Sequence, residues 1–249
     1  MNLCYVSLLT GYLTPLKRRS SYGLLPPYMS ELRVVLLGNS WSQRSSVVNF
    51  ILGTNVFSTE EDPGCCLRVS GRVKEKHIVL INTPNLLHPN ISNKELTEHV
   101  ETCVGYSKPG PHVFLLVLQP EDFTEEHKQR LQKILDLFSN QSFDHSLVLI
   151  STPREESPGL MEKVLESPPL IDMMKKCKCR NLKQKNLEPS ELLRHLDKIA
   201  EEHSGDHVSC DVFEDTESSS PADQQSPKQK QTQTADIHSV KAAGKCRKF

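Results

Sequence analysis

The chain has 249 residues, enough for one large domain or two small ones, and its formal net charge is -1 at pH 7. Apolar residues make up 37% of the chain, below the roughly 45–50% of a typical globular domain. We therefore expect one folded domain with polar ends. The near-zero charge excludes a strong basic field over the whole molecule, so we expect no nucleic-acid partner.

The N-terminal segment and the cysteines bear on the cellular compartment. At the N-terminus an apolar stretch precedes the basic cluster, which reverses the order of a secretory signal peptide. No window reaches the roughly 20 apolar residues of a membrane-spanning helix. The eight cysteines lack zinc-site spacing, and scattered thiols are typical of reduced cytosolic proteins. We expect a cytoplasmic protein with peripheral membrane association at most.

Composition divides the chain into three parts. Residues 1–30 end in an extended segment with a Pro-Pro pair and are interpreted as an N-terminal extension or linker. Residues 31–205 alternate apolar runs with amphipathic segments, which predicts a single domain. Residues 206–249 form a polar tail with few apolar side chains, and we predict that this tail is disordered.

Within the predicted domain, strand and helix patterns follow one another. The apolar runs show no polar alternation, which is typical of strands covered on both faces in a parallel sheet. The predicted strands cover residues 32–37, 77–81, 112–118 and 146–150, and the predicted helices cover residues 45–52, 92–106, 124–138 and 191–203. This order predicts an α/β fold with three layers around a mostly parallel central sheet.

The segment G-N-S-W-S-Q-R-S-S begins at Gly38, directly after the first predicted strand, where such folds place a phosphate loop. A Walker A loop has Gly, four residues, and then Gly-Lys-Ser/Thr. Gly38 and Ser45 are in register with it, whereas Gln43 replaces the second glycine and Arg44 replaces the lysine. Gln43 lacks the conformational freedom of glycine, and a guanidinium does not reproduce the point charge of lysine. A residual phosphate site and an ordinary strand-to-helix turn both remain open.

Two further segments follow later predicted strands. Asn82-Thr83-Pro84-Asn85 stands where a GTPase carries Asp-Thr-Pro-Gly, whose Asp supports Mg²⁺ and whose Gly amide contacts the γ-phosphate. The segment S-T-P-R-E, residues 151–155, stands where a GTPase reads the guanine edge with a carboxylate. Glu155 is the candidate for that carboxylate.

These motifs and several longer blocks resemble the immune-associated GTPases, the GIMAP or IAN family with an AIG1-type G domain. The most specific block is K-P-G-P-H-V-F-L-L-V-L-Q-P-E-D-F-T-E-E-H, residues 108–127, with I-N-T-P-N-L and L-I-D-M-M-K-K-C-K-C-R in support. The resemblance implies a P-loop GTPase-like domain, GTP or GDP with Mg²⁺, and homo- or heterodimers of related G domains. It also implies a switch I threonine, yet no threonine lies between Thr59 and Thr83.

The resemblance also implies a set of site residues. The nucleotide-binding residues it implies are Gly38, Asn39, Ser40, Trp41, Ser42, Gln43, Arg44, Ser45, Ser46, Asn82, Thr83, Pro84, Asn85, Thr152 and Glu155. Ser45 is also the implied Mg²⁺ ligand. No residue is an evident general base, so no catalytic residue is predicted.

Two functions follow from these motifs. The first is a guanine-nucleotide-binding protein of the immune-associated type with weak or no hydrolysis. The second is a pseudo-GTPase, which keeps the fold as a protein-interaction or assembly module and has lost nucleotide binding.

Overall fold

A computed structural model describes residues 31–154, 163 and 165–210, and these form an α/β domain around one sheet. The strands are β1 (Glu31–Gly38), β2 (Leu67–Val73), β3 (Lys76–Asn82), β4 (Val113–Leu118), β5 (Ser146–Ile150) and β6 (Asn181–Lys183). The helices are α1 (Trp41–Leu52), α2 (Asn93–Tyr106), α3 (Glu125–Phe138), α4 (Pro168–Lys176) and α5 (Pro189–Glu202). None of these helices is long and apolar enough to cross a lipid bilayer.

The sheet order is β2-β3-β1-β4-β5-β6, with only β2 antiparallel among the described strands. Side chains alternate between the faces of the central strand β1. Val35 and Leu37 join a core with α2, α3 and α4, and Val34 and Leu36 join a second core with α1 and α5. Both faces of the sheet are therefore covered by helices, and the predicted three-layer α/β fold is confirmed.

The four predicted strands and four predicted helices are present, with shifted ends. The sequence interpretation missed β2, β6 and α4. β2 is an edge strand with a mixed burial pattern, so it lacks the apolar run that marks the buried strands. β6 has only three residues. α1 begins at Trp41, four residues before the predicted start at residue 45. Residues 41–44 of the candidate site therefore belong to the helix and not to a loop.

The cysteines correct one expectation. Cys66, Cys103 and Cys177 are buried free thiols, and Cys179 is an exposed one. Cys65 is disulfide-bonded. The expectation that all cysteines are reduced is therefore wrong at Cys65.

The parallel register brings the carboxyl ends of β1, β3, β4 and β5 to one edge of the sheet. Leu36 of β1 is opposite Asn82 of β3, and Gly38 is opposite Val117 of β4. A Cβ atom on Gly38 would lie 1.9 Å from the carbonyl oxygen of Val117. Glycine is therefore required here by the close approach of β4, whether or not a ligand binds.

Candidate functional site

The connection between β1 and α1 is a short helix cap. Only Asn39 and Ser40 separate the strand from the helix, and Ser40 is the N-cap. The Gln43 amide donates to Ser40 Oγ at 3.4 Å, and the Arg44 amide donates to the Ser40 carbonyl at 3.2 Å. A phosphate loop leaves such amides free to face the ligand. Here they are used inside the first turn of the helix.

The side chain of Arg44 fills the inner end of this connection. It is fully buried, and it donates from Nη1 to the Gly38 carbonyl at 2.5 Å and from Nη2 to the Thr83 carbonyl at 3.0 Å. Burial lowers the pKa of Arg44 to about 10, and the charge of Asp62 opposes this shift. The guanidinium therefore remains charged at neutral pH and is bound to the protein's own carbonyl groups.

Asn82 and Ser45 contact each other, and both are fully buried. The Asn82 side-chain amide donates to Ser45 Oγ at 3.1 Å. Thr83 ties the end of β3 to β1, because its amide and its hydroxyl both donate to the Leu36 carbonyl. Pro84 is buried as well. The structure thus brings together the loop serine and the end of β3, as the sequence predicted for a GTPase-like fold.

Asn85 has an internal carboxylate as its partner. Its backbone amide donates to Asp62 Oδ2 at 2.9 Å, and Asp62 Oδ1 accepts from the Gly64 amide at 2.9 Å. The resemblance assigns the amide of residue 85 to a γ-phosphate. In this chain the carboxylate of Asp62, from the loop between α1 and β2, accepts the hydrogen bond instead.

Trp41 holds the same loop over the start of α1. The side chain is 7% exposed, its Nε1 donates to the Ser58 carbonyl at 3.0 Å, and its ring lies 6.4 Å from that of Phe57. Trp41 is therefore an anchor for the loop. Its neighbour Ser42 is exposed, and Ser46 borders a separate surface groove toward the end of α1.

The end of β4 contributes a residue that the sequence interpretation missed. Gln119 and Asn39 clamp β4 to β1, since Asn39 Oδ1 accepts from the Gln119 amide at 2.8 Å and Asn39 Nδ2 donates to the Gln119 carbonyl at 3.0 Å. The Gln119 side chain also contacts the Thr152 carbonyl at 3.4 Å. In the sequence, the signal for Gln119 was a polar residue directly after an apolar run. Glu155 lies outside the described residues.

Unpartnered polar atoms concentrate at this edge of the sheet. Seven buried side-chain polar atoms of the described residues have no hydrogen-bond partner. Five of these atoms belong to residues at or near the carboxyl ends of the strands: Arg44 Nε, Asn82 Oδ1, Asn85 Oδ1, Gln119 Oε1 and Ser151 Oγ. Each such atom costs about 1–3 kcal/mol if nothing satisfies it. This edge is therefore suited to water or to a polar ligand.

The described residues at this edge of the sheet do not fit Mg²⁺ bound to a nucleoside triphosphate. Mg²⁺ is normally held by carboxylates and phosphate oxygens, whereas Asn82 supplies a neutral amide and its Nδ2 already binds the Ser45 oxygen. No group of three or more His, Cys, Asp or Glu side chains in the described part of the chain is arranged to hold a metal ion. The amides and the guanidinium that would bind phosphate are engaged by Ser40, Gly38 and Thr83.

Comparison with proteins of known sequence gives relatives among immune-associated GTPases. The chain is 28% identical to GTPase IMAP family member 8 of Homo sapiens over 142 residues, covering 55% of this chain and 21% of that protein. It is 27% identical to Immune-associated nucleotide-binding protein 1 of Arabidopsis thaliana, covering 69% of this chain and 85% of that protein. The chain thus spans about a fifth of the human relative.

Comparison with solved structures gives the same fold. Toc33 from Arabidopsis thaliana in complex with GDP and Mg²⁺ aligns with a TM-score of 0.55 at 16% identity, over 72% of this chain and 88% of that one. A structure of the chloroplast translocon components atToc33 and psToc159 aligns with a TM-score of 0.54 at 18% identity, over 69% of this chain and 84% of that one. The AIG1 family model matches residues 32–229, and the chain therefore belongs to the AIG1 family of GTPase-like G domains.

Proposed function

We propose that this chain is a pseudo-GTPase, an AIG1-type G domain that acts as a protein-interaction or assembly module without effective nucleotide binding. One observation carries the proposal: the buried guanidinium of Arg44 is bound to the carbonyl oxygens of Gly38 and Thr83. The cation that would face the phosphates in a GTPase is engaged by the protein itself.

The cost of admitting a triphosphate supports the proposal. The ligand would have to replace two charge-assisted hydrogen bonds of Arg44, each contributing about 1.5–3 kcal/mol. It would also have to free the Gln43 and Arg44 amides from Ser40, which unwinds the first turn of α1. A loss of about 3–6 kcal/mol weakens binding by roughly two to four orders of magnitude.

Titration of a fluorescent GTP analogue with Mg²⁺ into the full chain tests this function. We expect no saturation by millimolar nucleotide for the wild type. The variant Gln43→Gly/Arg44→Lys/Asn82→Asp restores the Walker glycine, the lysine and the metal-site carboxylate, and we expect it to bind at least about tenfold more tightly. Arg72→Ala, at an exposed site on β2, is the matched control. Micromolar binding by the wild type that Arg44→Ala abolishes would overturn the proposal.

A second candidate is a guanine-nucleotide-binding protein with weak or no hydrolysis. The unpartnered atoms Asn82 Oδ1, Asn85 Oδ1 and Gln119 Oε1 favour it, because a polar ligand at this edge would satisfy them. The names of the relatives agree with it, since they are described as a GTPase and as a nucleotide-binding protein. Under this candidate Ser45 would contact Mg²⁺ once the hydrogen bond from Asn82 Nδ2 is released, and turnover would be slow or absent.

Assembly separates the two candidates as well. Dimerization is described as important for the GTPase activity of atToc33 and psToc159, and for this chain we propose homo- or heterodimers with related G domains in a cytoplasmic setting. Sedimentation velocity with and without GTP and Mg²⁺ measures whether dimer formation depends on nucleotide. A pseudo-GTPase gives the same sedimentation coefficient in both conditions, whereas a nucleotide-dependent protein forms dimers only with nucleotide.

A further inference from the structure

Two buried cysteines lie in contact beside the candidate site and take no part in it. Cys66 is directly before β2, at the end of the loop that Trp41 and Asn85 hold, and Cys103 is in the last turns of α2. Their Sγ atoms are 2.9 Å apart, and the residues are 2% and 0% exposed. A disulfide requires about 2.05 Å between the sulfur atoms. The two sulfur atoms are therefore within about 1 Å of the separation found in a disulfide.

The environment of the pair shifts the pKa values of the two thiols in opposite directions. The hydrogen bond with Cys103 lowers the pKa of Cys66 to about 6, and the charges of His99 and Arg44 act in the same direction. The contact with Cys66 and burial both raise the pKa of Cys103. His99 lies one turn before Cys103 on α2, and the interaction with Cys66 raises its pKa. A thiolate is the nucleophilic form of cysteine, and a neighbouring thiol is its resolving partner.

We propose that Cys66 and Cys103 form a peroxide-sensitive pair that closes into a disulfide and fixes the α1–β2 loop to α2. The Cys66 thiolate attacks one oxygen of hydrogen peroxide, the O–O bond breaks, and the hydroxide that leaves takes a proton and becomes water. Cys66 is then a sulfenic acid. The sulfur of Cys103 attacks the sulfur of Cys66, the S–O bond breaks, and the Cys103 proton leaves with the hydroxyl as a second water. Two thiols and one peroxide thus give one disulfide and two waters.

The loop explains what the disulfide would change. The loop is held near the candidate site by polar contacts, which include Trp41 with Ser58 and Asn85 with Asp62, and its Cys65 is already disulfide-bonded. A covalent bond at Cys66 would hold Asp62, four residues earlier, beside Asn85. The oxidised state would therefore have a more rigid loop beside Asn85. This inference does not depend on whether nucleotide binds.

Peptide mapping of the full chain tests the pair directly. A Cys65→Ser background removes the neighbouring disulfide-bonded cysteine. The reduced protein is titrated with hydrogen peroxide, remaining thiols are blocked with N-ethylmaleimide, and the digest is analysed without reduction. We expect a cross-link between the peptides that contain Cys66 and Cys103, at a peroxide concentration at least about tenfold below that which oxidises Cys177. Burial raises the pKa of Cys177 to about 12, so this buried thiol is the internal reference.

Variants separate a specific pair from general oxidation. Cys103→Ala should leave a sulfenic acid on Cys66 and no cross-link, and Cys177→Ala should leave the cross-link unchanged. Closing the loop between residues 66 and 103 should raise the Tm of the oxidised protein by roughly 5–15 °C over the reduced one. Cys103→Ala should abolish that rise. A Cys66 thiol that resists peroxide as well as Cys177 does, or that links to another cysteine, would overturn the proposal.

Discussion

Arg44 donates from Nη1 to the carbonyl oxygen of Gly38, which lies six residues earlier in the chain and 2.5 Å away. The bond joins the last residue of β1 to the first turn of α1, and a second bond to Thr83 extends it to the end of β3. Arg44 therefore stabilises the junction of β1, β3 and α1. Its contribution to folding can be measured independently of any ligand.

Arg44→Ala should lower the free energy of unfolding by about 2–4 kcal/mol. The variant leaves the Gly38 and Thr83 carbonyls without their donors and opens a cavity at a fully buried position. Urea denaturation at pH 7 measures the change. Arg72→Ala, at an exposed position, should stay within about 0.5 kcal/mol. Equal effects of the two variants would contradict a structural role for Arg44.

Gly38→Ala should destabilise the domain by at least about 2 kcal/mol even without nucleotide. The added Cβ would meet the Val117 carbonyl oxygen at 1.9 Å, and a backbone atom of a neighbouring strand cannot move aside cheaply. Gly105→Ala is the control, because a Cβ at that helical glycine meets no atom within 4 Å, and alanine should be neutral or stabilising there. Thermal unfolding of both variants checks the prediction. A Gly38→Ala protein as stable as the wild type would refute the close approach of β4.

Asn82→Asp should create a response to Mg²⁺ that the wild type lacks. The substitution places a carboxylate beside Ser45 Oγ, where the structure has an amide at 3.1 Å. Mg²⁺ at about ten times its dissociation constant should then raise the Tm of the variant by roughly 3–5 °C. Asn82→Ala is the control without an oxygen ligand. An equal rise in the wild type would show that Asn82 and Ser45 already hold the ion.

Trp41→Phe should loosen the loop between α1 and β2 more than it destabilises the domain. The variant keeps a buried ring near Phe57 but loses the hydrogen bond from Nε1 to the Ser58 carbonyl, a loss of about 1 kcal/mol. Hydrogen exchange should become faster in residues 53–66. Trp41→Ala removes the ring as well and should cost about 3–5 kcal/mol. Unchanged exchange in the loop of Trp41→Phe would show that Trp41 does not anchor it.

Stability should fall as the pH is lowered from 7 to 5, in part because of His112. Burial, aided by the charge of Arg33, lowers the pKa of His112 to about 3, and its Nδ1 accepts from the Arg33 amide at 2.9 Å. Below about pH 6.5 the unfolded chain binds a proton at this histidine that the folded chain does not bind. The unfolded state is therefore favoured as the pH falls, by up to about 2 kcal/mol at pH 5.

Urea denaturation of His112→Gln at pH 7 and pH 5 measures this contribution. The variant should lose less stability between the two pH values than the wild type does. His145, whose pKa is also lowered mainly by burial, retains its own effect in the variant. His88→Gln, at an exposed position, should behave like the wild type. A wild-type protein that gains stability toward pH 5 would contradict the burial of neutral His112.

The sequence alone determined the fold class and the place of the candidate site. Largely apolar runs such as residues 112–118 predict strands buried on both faces, and the pattern of Leu131, Ile134 and Leu135 predicts a helix over the sheet. The order of these elements then places Gly38 and Asn82 at the same edge, because the carboxyl ends of parallel strands meet there. Local periodicity carries this information, so no tertiary contact was needed for it.

Only the tertiary structure decided what the site residues do. The sequence shows Arg44 as a substitute for lysine, but its bonds to Gly38 and Thr83 depend on how β1, β3 and α1 pack. The contact of Asp62 with Asn85, 23 residues apart, and the contact of Cys66 with Cys103, 37 residues apart, also depend on tertiary packing. Such pairs are set by chain packing over long separations, and neither periodicity nor motif spacing encodes them.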